Sequence, residues 1–178
     1  MQNNTIRILA VSGSLRSSSS NHKIVKAIVA MAPQNVLVNI FNGLGDLPHF
    51  DDGEYDKVNE WRKAISDADG ILICTPEYAF GVPGSLKNAL DWTVSTGDLY
   101  EKPAALITAS SVGDKAHASL QQTLTALTAT MNEETKLLIP FIRSKFTERG
   151  ELDEATAQAV QKVLMALVEL VHQQQSNR

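Results

Sequence analysis

Residues 6–21 read IRILAVSGSLRSSSSN. The stretch opens on an apolar run, 6–11, and halts at the turn residues Ser12-Gly13-Ser14. From Asn21 it enters a segment with Ile24, Val25, Ile28, Val29 and Met31 at helical spacing, which Pro33 ends. Strand, small-residue loop and helix in that order form the opening of a βαβ unit. The alternation continues down the chain. VLVNIF at 36–41 is a second strand, and residues 55–67 carry Val58, Trp61, Ala64 and Ile65 on one helical face. GILICT at 70–75 is almost wholly apolar, as in a strand buried on both sides. A helix is predicted from Ser85, read as its cap, to about Thr96. A strand follows at 104–109, a helix from Lys115 to Met131 and a strand at 136–141, where Pro140 points to a sheet edge. A long helix is expected over 152–172, with the polar QQQSNR beyond it fraying.

Five strands alternating with helices predict right-handed βαβ units and one parallel sheet covered on both faces. The fold class is therefore α/β, as a single domain over residues 1–178. Ligands in such sheets sit beyond the carboxyl ends of the strands, where the strand order switches. The loops after strands one, three and four are thus the ones to inspect.

Composition narrows the partners. A net charge of −4 gives no general attraction to nucleic acid or anionic lipid, so any anion must be held by a local site. No apolar run approaches the ~18 residues a membrane helix needs. Cys74 is the single cysteine, which rules out an intramolecular disulfide. The N-terminal residues lack the pattern of a signal peptide, and the expected location is cytoplasmic.

The first loop has the makings of a phosphate site. A helix start offers unpaired N–H groups and partial positive charge, small residues allow close approach, and Arg16 adds a fork matched to phosphate oxygens. The hydroxyls of Ser14 and Ser19 add donors. Neither G-x-G-x-x-G nor G-x-x-x-x-G-K-[ST] occurs here, which argues against a Rossmann dinucleotide site and a P-loop nucleotidase. The second loop, TPEYAFGVPGS at 75–85, is stiffened by Pro76 and Pro83 and displays Tyr78 and Phe80. Its backbone N–H groups suit the polar edge of a flat heterocycle.

Gly13-Ser14-Leu15-Arg16 with Ser19 and Asn21, Thr75-Pro76-Glu77-Tyr78, and Pro83-Gly84-x-Leu86-Lys87-Asn88-Ala89-Leu90-Asp91-Trp92 together resemble the NADPH-dependent FMN reductase family. The resemblance extends to Leu47-Pro48 and to Gly150-Glu151-Leu152. It implies a flavodoxin-like three-layer sandwich with a five-stranded parallel sheet, bound FMN, and NADPH or NADH as electron donor. Hydride would pass from the nicotinamide to FMN and then to a small acceptor such as a quinone, free flavin, chromate or azo compound, by a ping-pong mechanism. No side chain is assigned a catalytic proton transfer.

Carried over by position, Ser14, Arg16, Ser19 and Asn21 would hold the FMN phosphate. Pro76, Glu77 and Tyr78 would line the ribityl chain and ring, and Ser111 and Gly113 the pyrimidine edge. Two departures stand out. Ala79 occupies a place where the family often has Asn, and the loop after strand four, Ala109 to Lys115, holds one glycine. The alternative is a flavodoxin-like electron carrier that binds FMN without oxidising nicotinamides; Arg16 in the phosphate loop and the modest charge speak against it.

Cys74 is read as a small core side chain, the four histidines show no metal-ligand spacing, and His117 is expected to be a solvated helix residue. The family tends to form homodimers or homotetramers. On the helix that begins near Ser85, Trp92, rimmed by Lys87, Asn88 and Asp91, reads either as an exposed interface centre or as packed under the Tyr100 loop within one subunit, and the interface is the expectation taken.

Overall fold

Apolar side chains on both faces of three adjacent strands decide the architecture. In the computed structural model, which describes residues 5–177, β1 (Ile6–Ser12), β3 (Gly70–Thr75) and β4 (Ala104–Ala109) form the middle of a five-stranded parallel sheet. The order is β2-β1-β3-β4-β5, with β2 (Val36–Phe41) and β5 (Lys136–Ile139) at the edges. Five α-helices cover it: α1 (Ser20–Met31), α2 (Asp56–Ser66), α3 (Gly84–Asp91), α4 (Asp114–Ala126) and α5 (Glu154–Ser176).

The strands alternate between two cores. Ile8, Ala10, Leu72, Cys74 and Ile107 face α1 and α5, meeting Ile24, Ile28, Leu164 and Leu167. Leu9, Val11, Ile71, Ile73 and Leu106 face α2, α3 and α4, meeting Trp61, Leu86, Leu90 and Leu120. Each such large apolar side chain stabilises the fold by roughly 1.5–3 kcal/mol when fully buried.

Register aligns the carboxyl ends: Ser12 lies opposite Cys74, Thr75 opposite Thr108, and Ala109 opposite Ile139. The loops that follow open along one edge. Between β1 and β3 the chain changes direction across the sheet, so the crevice for a ligand forms there.

Several boundaries differ from expectation. Pro83 occupies the cap position of α3 and no side chain bonds there, so Ser85 is not the cap. The helix closes at Asp91, where the Thr93 hydroxyl donates to the Leu90 carbonyl (2.7 Å). Helix α4 stops at Ala126, before Thr128 takes a positive φ of 58°. Strand β5 ends at Ile139, so Pro140 falls outside the ladder, and β5 is the edge strand that proline implied. The last helix runs on through the glutamines to Ser176; Gln173, Gln174 and Gln175 bond to Glu169, the Glu101 carbonyl and Asp69.

Trp92 is also corrected: it is 2% exposed within one subunit. Its indole N–H donates to the Pro48 carbonyl (2.9 Å), and the rings of Phe50 and Tyr55 meet it edge-on at 5.1 and 5.8 Å. Asn88 grips the same loop, donating to the Pro48 carbonyl and accepting from the Phe50 N–H, both at 2.8 Å. Two residues of the 83–92 motif therefore fasten the β2–α2 loop onto α3.

Candidate functional site

The first loop leaves β1 at Gly13, whose N–H donates to the Cys74 carbonyl (2.8 Å). A Cβ at this position would lie 2.5 Å from the Thr75 hydroxyl, so the close approach of loop and β3 requires glycine. Ser14 is buried; its hydroxyl accepts from the Arg16 N–H (3.3 Å) and lies 3.2 Å from the Tyr78 phenol oxygen. Ser19 caps α1 by accepting from the Asn21 N–H (3.2 Å). The Arg16 side chain is exposed, and among the described residues no carboxylate pairs with it.

Asn21 points inward. Its amide donates to the Ala109 carbonyl (3.2 Å) and its oxygen accepts from the Cys74 thiol (3.1 Å), pinning α1 to β3 and β4. Burial pushes the Cys74 thiol well above its ordinary pKa, which keeps it protonated and unreactive.

The second loop is held from two sides. Glu77 donates its N–H to the Ser110 hydroxyl (3.2 Å), and its carboxylate accepts from the N–H groups of Gly113 (3.4 Å) and Ala116 (2.9 Å). It thus caps α4, whose own N-cap, Gly113, has no side chain for the task. Next comes a tight reversal: Tyr78 and Gly81 exchange both backbone hydrogen bonds at 3.0 Å, with Ala79 (φ 48°) and Phe80 (φ 61°) between them. Positive φ at both central residues is the mark of a type I′ turn, which favours Asn and Gly. Phe80, 79% exposed, stands at its tip.

The loop after β4 meets the chain after β5. Phe141 and Ile142 donate their N–H groups to the carbonyls of Ser111 (3.1 Å) and Ser110 (3.0 Å). Gly113 takes φ 99°, and a Cβ there would lie 2.9 Å from Leu138. His117, expected to be solvated, is instead half-buried and shares a 3.0 Å hydrogen bond with the Thr108 hydroxyl.

These loops enclose a cleft of about 170 Å³. Of the residues expected to hold the cofactor, Arg16, Ser19, Asn21, Pro76, Glu77, Tyr78 and Ser111 line it. Ser14 lies beneath Tyr78 and Gly113 at the start of α4, and neither is on the wall. Ser18, Ser20, Ser110, Ile142 and Arg143 line it too and were not foreseen. A larger hollow of about 470 Å³ beside Arg7 and Asp67 lies at the amino end of the sheet, where no helix begins.

An open helix start, serine hydroxyls and two guanidinium groups that have no carboxylate partner among the described residues suit a phosphate monoester; Pro76 and the exposed Tyr78 beside them suit a flat group attached to it. Fold and cleft together define a flavodoxin-like mononucleotide-binding domain. The comparisons with known proteins carry this further. Residues 6–143 match the family model of NADPH-dependent FMN reductases, and the chain belongs to that family.

It is 30% identical over 171 residues to a quinone reductase of Escherichia coli (strain K12), covering 86% of this chain and 91% of that one. It is likewise 30% identical over 173 residues to an NAD(P)H-dependent FMN reductase of Pseudomonas aeruginosa, covering 91% and 93%. Among solved structures, the flavoenzyme NAD(P)H:(acceptor) oxidoreductase FerB from Paracoccus denitrificans superposes with a TM-score of 0.84 at 28% identity, covering 94% of this chain and 98% of that one. The protein is accordingly an oxidoreductase with FMN as cofactor and a reduced nicotinamide nucleotide as donor.

Proposed function

We propose that this enzyme reduces a small acceptor, a quinone being the leading candidate, with donor and acceptor using the same open ring face in turn. FMN, when bound, would supply the hydride-transfer chemistry between nicotinamide and acceptor. The observation that carries the reading is the adjacency, in one cleft, of the Arg16 loop and the Pro76–Glu77–Tyr78 wall. The name of the E. coli relative supports the choice of quinone.

In this reading Arg16, Ser19 and the free N–H groups at the start of α1 hold the phosphate. Pro76, Glu77 and Tyr78 line the ribityl chain and ring, and Ser111 meets the ring's polar edge. Ser14, Asn21 and Gly113 act by position: Ser14 supports Tyr78, Asn21 fixes α1 against the sheet, and Gly113 turns the chain into α4. Among the described residues no helix is long and apolar enough to cross a membrane, and a cytoplasmic location is proposed. A homodimer or homotetramer is proposed as well. With Trp92 buried, the exposed apolar side chains of Phe80, Val94 and Tyr100 are what support an interface.

The test has two parts. Purified protein should show a flavin spectrum that bleaches anaerobically on NADPH or NADH addition and recovers on adding a quinone. Arg16→Ala should weaken FMN binding by roughly 1.5–3 kcal/mol, the range for hydrogen bonds to a charged group. A flavin that stays oxidised with both nucleotides, or unchanged FMN affinity in the variant, would refute the respective part.

A further inference from the structure

We infer that Arg143 is a second arginine for the flavin phosphate, reaching the cleft from the 3-10 turn after β5. The inference rests on the FMN reading above. Arg143 lies in the turn Ile142–Lys145, and it lines the same cleft as Arg16 and Ser18 to Asn21. A residue beyond an edge strand reaches a site at β1 because the chain there doubles back over α1. The Lys23 ammonium sits 5.0 Å from the Phe146 ring centroid, and Phe146 pairs with Leu152. The turn is fixed at both ends. Ile142 donates to the Ser110 carbonyl (3.0 Å), and Asp153 donates to the Lys145 carbonyl (2.8 Å). Arg143 therefore projects from a braced segment.

Charge supplies the reason for a second cation. A phosphate monoester carries about −1.5 to −2 at pH 7. A helix start supplies about half a positive charge and Arg16 one more, which balances the lower figure and leaves the full dianion short by about half a charge. Among the described residues Arg143, like Arg16, has no carboxylate partner. Two guanidinium groups lining one cleft offer a dianion two cations at once.

The test compares FMN with riboflavin, which has the ring and ribityl chain but no phosphate, by fluorescence quenching of protein stripped of flavin. Arg143→Ala should weaken FMN about ten- to a hundredfold and leave riboflavin affinity unchanged. Arg143→Lys should recover part of the loss, since the charge stays and the fork is gone. The thermal midpoint of the stripped variant should equal or exceed that of the stripped wild type.

Equal losses for FMN and riboflavin would overturn the inference, showing a role in shape rather than in phosphate binding. Unchanged FMN affinity with a raised KM for NADPH, but not for NADH, would also overturn it, assigning Arg143 to the nucleotide's 2′-phosphate. A wild type that binds neither flavin would overturn the FMN reading itself, and this inference with it.

Discussion

The Ser14 hydroxyl stands 3.2 Å from the Tyr78 phenol oxygen, and through that contact the first loop supports the second. Tyr78→Phe keeps the ring and removes one hydrogen bond, so it should cost about 0.5–1.5 kcal/mol of stability in urea unfolding. Ser14→Ala should cost more, because the Arg16 N–H also loses its acceptor. The double variant should fall short of the sum by at least about 0.5 kcal/mol. Strict additivity would mean that the two loops are held independently.

Ala79 pays for its place in the turn with a φ of 48°, a conformation that costs an L-residue other than Gly or Asn roughly 1–2 kcal/mol. Ala79→Asn should therefore stabilise the protein by about 0.5–1 kcal/mol, and Ala79→Val should destabilise it. Equal unfolding midpoints for the three proteins would show that the turn relaxes freely.

His117 gives the fold a pH dependence. Burial, with Lys136 adding repulsion, holds its imidazole below the usual value near 6.5. The folded state thus disfavours the protonated ring. Its stabilising contribution is full above about pH 6.5 and is lost as pH falls from there through the depressed folded value. Unfolding midpoints measured from pH 7.5 to 5 should decline in the wild type more steeply than in His117→Gln. Parallel curves would remove His117 from the account.

Much of the frame was legible because it is local. The apolar runs at 70–75 and 104–109 announce buried strands without knowledge of any partner, and each lies in the middle of the sheet. What failed depends on distant neighbours. Trp92 looked exposed on a helical wheel because the Pro48 carbonyl that takes its N–H lies 44 positions away. Asn21 does line the cleft, but its bond to the Ala109 carbonyl, 88 positions on, could not be read from the motif. Arg143 sits in no motif and enters the cleft only because the segment after β5 packs over α1. The rule that ligands gather at carboxyl ends of strands would have found it, had the loop after strand five been included.

Glu77 belongs to two structures at once, the wall of the cleft through its backbone and the start of α4 through its carboxylate. Whatever steadies the wall must therefore steady the helix. A flavin resting on residues 76–78 would slow amide hydrogen exchange in the first turn of α4, including Ala116, an amide that does not line the cleft. Glu77→Gln would loosen that linkage while leaving the backbone of the wall in place. A helix on the other face of the sheet would then report whether the site is filled, with the signal running through one side chain.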